Sequence, residues 1–224
     1  MAASKDLAQI RSQLAIEYVK VGNLRVALDM ANEAVDADSR SAPAYLTRAY
    51  IYSLLQQDGQ AEQNYRQALQ LDPANPEGNN NYGLFLCEHN RPQEGMGYFS
   101  KALANPLYES PQTAYLNMGR CSAKLGETDK ANDSLLMALR VAPNFPPALK
   151  ELASLHLDLG NAKLAGFYFD RLRQNSQVLG PEELWLGIRI ARRSGDRNLE
   201  SDCAAQLRNR YPDSKETQML LSGS

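Results

Sequence analysis

An all-α solenoid made of stacked helix pairs is the fold class the sequence predicts, and three observations predict it. Shifting the chain by about 34 residues lays Ala15 and Ala49 on Gly83, and further shifts bring Gly119, Ala153 and Gly187 to the same place. Apolar residues between these markers recur at helical spacing, beginning with Ile10, Leu14 and Tyr18. Prolines such as Pro73 and Pro143 punctuate the period, because a proline has no N–H to donate and biases the preceding residue away from the helical region. Together these are the marks of a tetratricopeptide helix pair, and they predict a right-handed α-solenoid superhelix of six such units. The first helix of each unit then lines a concave groove, the default binding surface of a solenoid.

Taken in order, residues 1–7 are polar and expected to fray, and the units follow at about 8–41, 42–75, 76–109, 112–145, 146–179 and 180–212. In the first, Leu14, Ala15, Tyr18, Ala27 and Ala34 supply the large, small, aromatic, small and small positions, with Gly22 at the turn. Unit two carries Tyr45, Ala49, Tyr52, Ala61, Tyr65, Ala68 and Pro73, a nearly complete signature. Gly83, Leu86, Gly95, Phe99 and Ala102 mark the third, whose turn falls at His89-Asn90-Arg91-Pro92. The step from Gly83 to Gly119 is 36 residues, which places a two-residue insertion in the linker Asn105 to Pro111. Units four and five are marked by Tyr115, Gly119, Gly126, Ala131 and Leu135, then by Leu149, Leu152, Ala153, Gly160, Ala165 and Phe169. The sixth opens well with Trp185, Leu186, Gly187 and Ile190, but Leu199, Cys203 and Leu207 replace the expected alanines, as suits a terminal repeat that must stop the stacking. Residues 213–224 are expected to be a tail or a short capping helix.

A formal net charge of −2 with a pI near 5.8 leaves no electrostatic footprint for nucleic acid. No apolar run approaches the roughly 18–20 residues that span a bilayer. Cys87, Cys121 and Cys203 have neither redox nor zinc spacing, so no metal or cofactor is expected. His89 falls in a turn and His156 at a packing position, neither with a nucleophile or carboxylate at a diagnostic spacing, and the glycines sit where the repeat needs them. The chain is read as non-enzymatic.

A carboxylate clamp of the kind some tetratricopeptide proteins use would require Lys and Asn where this chain has Ser12 and Ile16, so it is absent. The groove positions instead carry Ile16, Val19, Leu46, Tyr50 and Leu84, with Asn80 and Asn81 of the run Asn79-Asn80-Asn81, and Asn117. An apolar groove bordered by amides suits an extended or helical peptide, though some of these side chains could instead pack between repeats. Cys87 and Cys121 fall on facing sides of adjacent first helices, within bridging reach at ordinary helix spacing, so a disulfide is expected against the alternative of two buried thiols. Cys203 reads as a small core residue.

Four stretches carry a closer resemblance: Asn79-Asn80-Asn81-Tyr82-Gly83-Leu84-Phe85-Leu86-Cys87, Leu116-Asn117-Met118-Gly119-Arg120-Cys121-Ser122-Ala123-Lys124, Pro146-Pro147-Ala148-Leu149-Lys150-Glu151-Leu152-Ala153, and Leu186-Gly187-Ile188-Arg189-Ile190-Ala191. With them the chain resembles, over nearly its whole length, the PilF/PilW family of type IV pilus biogenesis lipoproteins, the secretin pilotins. The resemblance implies a periplasm-facing factor of the outer membrane that helps the secretin subunit localise or multimerise, with other pilus assembly proteins as further partners. A lipidation signal and its cysteine are absent from this sequence, so membrane attachment rests on the resemblance and on an anchor outside these residues. The competing expectation is a general tetratricopeptide adaptor for a different periplasmic or cytosolic complex.

Overall fold

Alanine and glycine at the helix crossings set the architecture, because a small side chain lets two helix backbones approach closely. Ala15, Ala27, Ala49, Ala61, Ala131, Ala153 and Ala165 are all fully buried. At Gly95 even a methyl group is excluded, since a Cβ there would lie 2.5 Å from the carbonyl oxygen of Gly83. One added to Gly187 would meet the Phe169 ring at 2.5 Å and the Cys203 sulfur at 2.8 Å.

The computed structural model describes residues 2–223, which form thirteen helices and no strand. They are α1 (Ala2–Lys20), α2 (Leu24–Ala37), α3 (Ala42–Leu54), α4 (Asp58–Leu71), α5 (Pro76–Glu88), α6 (Pro92–Leu103), α7 (Pro111–Lys124), α8 (Thr128–Val141), α9 (Pro146–Asp158), α10 (Ala162–Asn175), α11 (Pro181–Ser194), α12 (Arg197–Arg210) and α13 (Lys215–Ser222). The chain divides into two compact units, one ending at Asn117 and the other beginning at Met118, with the boundary inside α7. In the first, α1 pairs with α2, α3 with α4 and α5 with α6, while α1, α3 and α5 lie in succession beside one another. In the second, α9 pairs with α10 and α11 with α12, and α9, α11 and α13 are neighbours in turn. The helices pair as antiparallel tetratricopeptide units, consistent with the all-α solenoid expected from the sequence.

Local chemistry sets the helix ends. Asn23, Ser41, Asn75, Asn161 and Asp196 each accept a hydrogen bond from a backbone N–H in the first turn that follows, satisfying a donor the helix leaves orphaned. The turn inside each pair needs one left-handed residue, and it recurs at Gly22, Gly126, Gly160 and Gly195. Gln56 and Asn90 take the same conformation, with φ of 57° and 60°, so two of the turns are built without glycine. The lengthened linker after α6 is tied down: Asn105 donates to the Ala74 carbonyl at 3.1 Å, and Tyr108 is buried against Ala102 and Ala114.

The ends differ from expectation. Residues 2–7, expected to fray, are helical, because Ala2, Ala3 and Lys5 are good helix formers and nothing breaks the run into α1. At the other end residues 215–222 form α13 rather than a tail, fixed by Thr217, whose hydroxyl donates to the Tyr211 carbonyl at 2.7 Å. Met1 and Ser224, which the same two expectations included, lie outside the described residues.

Candidate functional site

On α3, Pro43, Thr47, Tyr50 and Leu54 follow one another at steps of four, three and four, and on α5 so do Glu77, Asn81, Leu84 and Glu88. That spacing puts each set on one stripe of its helix. With Ile16 of α1 these stripes line a hollow of about 660 Å³, floored by Leu46, Tyr65 and Phe85. A second hollow of about 600 Å³ adjoins it between α1 and α3, sharing Ile16, Pro43 and Thr47 and adding Ser12, Glu17 and Lys5. Tyr50 and Leu54 are 39% and 41% exposed, large apolar side chains held open to solvent on a concave wall.

Five of the eight groove residues expected from sequence meet here: Ile16, Leu46, Tyr50, Asn81 and Leu84. The other three lie elsewhere. Val19 packs into the α1/α2 core with Ala15, Ala27 and Ile51. Asn80 and Asn117 are buried, the Asn117 amide donating to Asn80 Oδ1 at 3.0 Å. For Asn80 position explains this, because it directly precedes the groove residue Asn81, and a step of about 100° turns its side chain off the stripe. Val19 lies at the edge of the stripe, about 60° from Ile16. Asn80 still acts on the groove: its amide donates to Asn81 Oδ1 at 3.2 Å, which leaves the Asn81 N–H groups for an incoming carbonyl. Asn79 does neither, since its amide donates to the Pro73 and Asn75 carbonyls and so fixes the linker into α5.

Sequence reasoning overlooked Thr47, Leu54, Glu77 and Glu88. Extending the stripe from Tyr50 and Leu84 by helical steps would have found them. Glu77 and Glu88 are exposed and make no ion pair among the described residues. Burial pushes the Tyr65 phenol up to about 12, against a downward pull from the Ser53 hydroxyl and with a further push from the Glu88 carboxylate.

Away from the groove, charges on α4 and at the start of α6 pair with one another. Glu62 would be raised by its partial burial, but hydrogen bonds from Arg91, Arg66 and the Tyr82 hydroxyl hold it down to about 2. The unit from Met118 has larger hollows, about 710 Å³ beside Phe167 and about 800 Å³ beside Trp185, so volume does not select the groove. Their walls are charged, and around Trp185 much of that charge is paired internally: Arg189 meets Asp158 at 3.0 Å and Arg192 meets Glu200 at 2.8 Å.

Neither histidine belongs to the groove. His89 caps α5, stacked on Phe85 with Nε2 3.2 Å from Asp58, and His156 packs on Tyr168 against Asn132, its pKa lowered by burial. Cys87 and Cys121 are buried, disulfide-bonded residues, whereas Cys203 is a buried free thiol that burial pushes up to about 11. No group of three or more His, Cys, Asp or Glu among the described residues could hold a metal ion, and no helix there is long and apolar enough to cross a membrane.

Tetratricopeptide-repeat family profiles match residues 42–75 and 59–112. The chain is 30% identical over 206 residues to the type IV pilus assembly protein PilF of Pseudomonas aeruginosa, covering 92% of this chain and 81% of that one. Among solved structures it is similar to PilW, described as a widely conserved type IV pilus biogenesis factor, with a TM-score of 0.86, 40% identity, and coverage of 96% of this chain and 98% of the other. It is similar also to the Pseudomonas aeruginosa pilF structure, with a TM-score of 0.82 at 27% identity over 99% of this chain and all of that one.

Proposed function

Because the chain belongs to the PilF/PilW family of tetratricopeptide proteins of type IV pilus biogenesis, we propose that it is a non-enzymatic assembly factor of that machinery. Its work is to bind a segment of the secretin subunit in the groove of α1, α3 and α5 and so promote secretin localisation or multimerisation. The observation that carries this reading is the groove itself: large apolar side chains stay open to solvent on three neighbouring helices, beside an amide able to take a backbone carbonyl. An extended or helical peptide is recognised by that combination of side-chain pockets and main-chain hydrogen bonding. We place the protein on the periplasmic side of the outer membrane, held by a lipid anchor outside these residues.

The direct test puts Tyr50→Asp and Leu84→Asp into the full-length protein and measures secretin multimers in the outer membrane. Loss of most multimers with the variants still folded is expected. Unchanged multimers would remove the groove from the function.

The proposed disulfide between Cys87 and Cys121 fits the same setting, since such bonds persist in an oxidising compartment. Thiol titration of the unfolded, unreduced protein should count one free thiol, that of Cys203. A count of three would refute the bond.

A further inference from the structure

The final residue of the first helix of a pair is a carboxylate in two places. Asp158 ends α9 and Glu88 ends α5, each twelve residues after the proline that opens its helix. A carboxylate there opposes the helix dipole, whose C-terminal end is already negative. In α9 a cation offsets the conflict, since Arg189 of α11 lies 3.0 Å from Asp158. In α5 no cation does so among the described residues: Glu88 is exposed and makes no ion pair there. In the first turn, where the dipole favours a carboxylate, Glu77 of α5 is exposed and makes no ion pair among the described residues, while Glu182 of α11 is held by Lys150 at 2.6 Å. Both unpaired carboxylates line the apolar groove, and eleven helical steps set them about 16 Å apart along α5 with Asn81 and Leu84 between.

Taking that groove as the docking site proposed above, we infer that its occupant is a protein segment with an apolar centre and a Lys or Arg toward each end. In an extended segment the two cations would stand about five residues apart, at roughly 3.3 Å per residue. The occupant's cations complete at Glu77 and Glu88 the pairs that Lys150 and Arg189 complete within the other unit. Lys5 and the Lys20–Glu17 pair leave the α1 end of the groove more nearly neutral, so the selection for basic residues acts along α5. Apolar contacts supply affinity; the carboxylates fix the register and reject acidic segments.

A displayed library of random 12-residue peptides, panned on the full-length protein, tests this. The selected peptides should combine apolar centres with flanking Lys or Arg. The best of them should bind about tenfold more weakly to the double variant Glu77→Gln, Glu88→Gln, and several-fold more weakly as salt rises from about 50 to 300 mM. The same peptide should lose binding to Tyr50→Asp; if that variant does not fold, Tyr50→Ala, at a half-exposed side chain, replaces it. Peptides without basic flanks, or unaltered affinity for the double Gln variant while Tyr50 variants lose binding, would overturn the inference and leave the groove reading intact. Equal binding to folded Tyr50 variants, or no selected peptide at all, would overturn both.

Discussion

Lys150 of α9 reaches Glu182 at 2.6 Å and Glu183 at 3.1 Å, and Arg120 of α7 reaches Glu151 of α9 at 2.7 Å. On the corresponding helices of the first unit, α3 and α5, Thr47, Tyr50, Leu54, Asn81 and Leu84 occupy the inner stripe, and the charges there, Glu77 and Glu88, make no ion pair among the described residues. The same helix-pair geometry thus carries two surface chemistries. Where α7, α9 and α11 hold each other by ion pairs, the stripe is chemically satisfied before any partner arrives. Where α3 and α5 are instead packed against α4 and α6, through buried alanines and the rings of Tyr65, Tyr82, Phe85 and Tyr98, the stripe is left for something else.

The contrast can be broken most forcefully at Glu62, which shows that the first unit also closes its charges where they are not on the groove. Its carboxyl is held at about 2, below an ordinary 4.5, so its contribution is complete above about pH 4.5 and is lost as pH falls toward 2. Glu62→Gln should cost about 1–2 kcal/mol at pH 7, after allowance for the solvent that reaches this site. In denaturant titrations the gap to the wild type should close between pH 4.5 and 2, and a pH-independent gap would show that charge is not the cause. A smaller loss, about 1 kcal/mol, is expected for Lys150→Met by thermal melting at neutral pH, because two carboxylates lose their cation. The smallest effect sharpens the comparison most. Glu88→Gln should leave stability within about 0.5 kcal/mol of wild type or raise it slightly, since it removes a negative charge from a helix C-terminus and breaks no pair. A loss as large as that of Lys150→Met would mean that Glu88 is structural after all.

Much of the groove was legible in the chain, but not to the residue. Ile16, Tyr50 and Leu84 stand 34 residues apart, and the repeat carries all three into the hollow. Val19, Asn80 and Asn117 were misplaced because assignment to a helix face tolerates little error, each residue turning the side chain by about 100°. Asn80 and Asn117 were expected to border the groove, yet they meet in the interior, a pairing 37 positions apart that no local pattern announces. The acidic pair at 77 and 88 was missed for a different reason: an exposed glutamate is ordinary, and it becomes informative only beside Asp158 and Glu182, whose cations lie about one repeat away.

By itself the sequence determined the fold class, the phase of the repeat, the small residues at each crossing and the place of each turn. These depend on local sterics and on a periodicity that any shift of the chain reveals. Tertiary structure alone decided which amides are buried, which carboxylates are paired, and where apolar side chains remain open to solvent. Those outcomes depend on the side chain opposite, and the residue that stands opposite is set by how neighbouring helices pack.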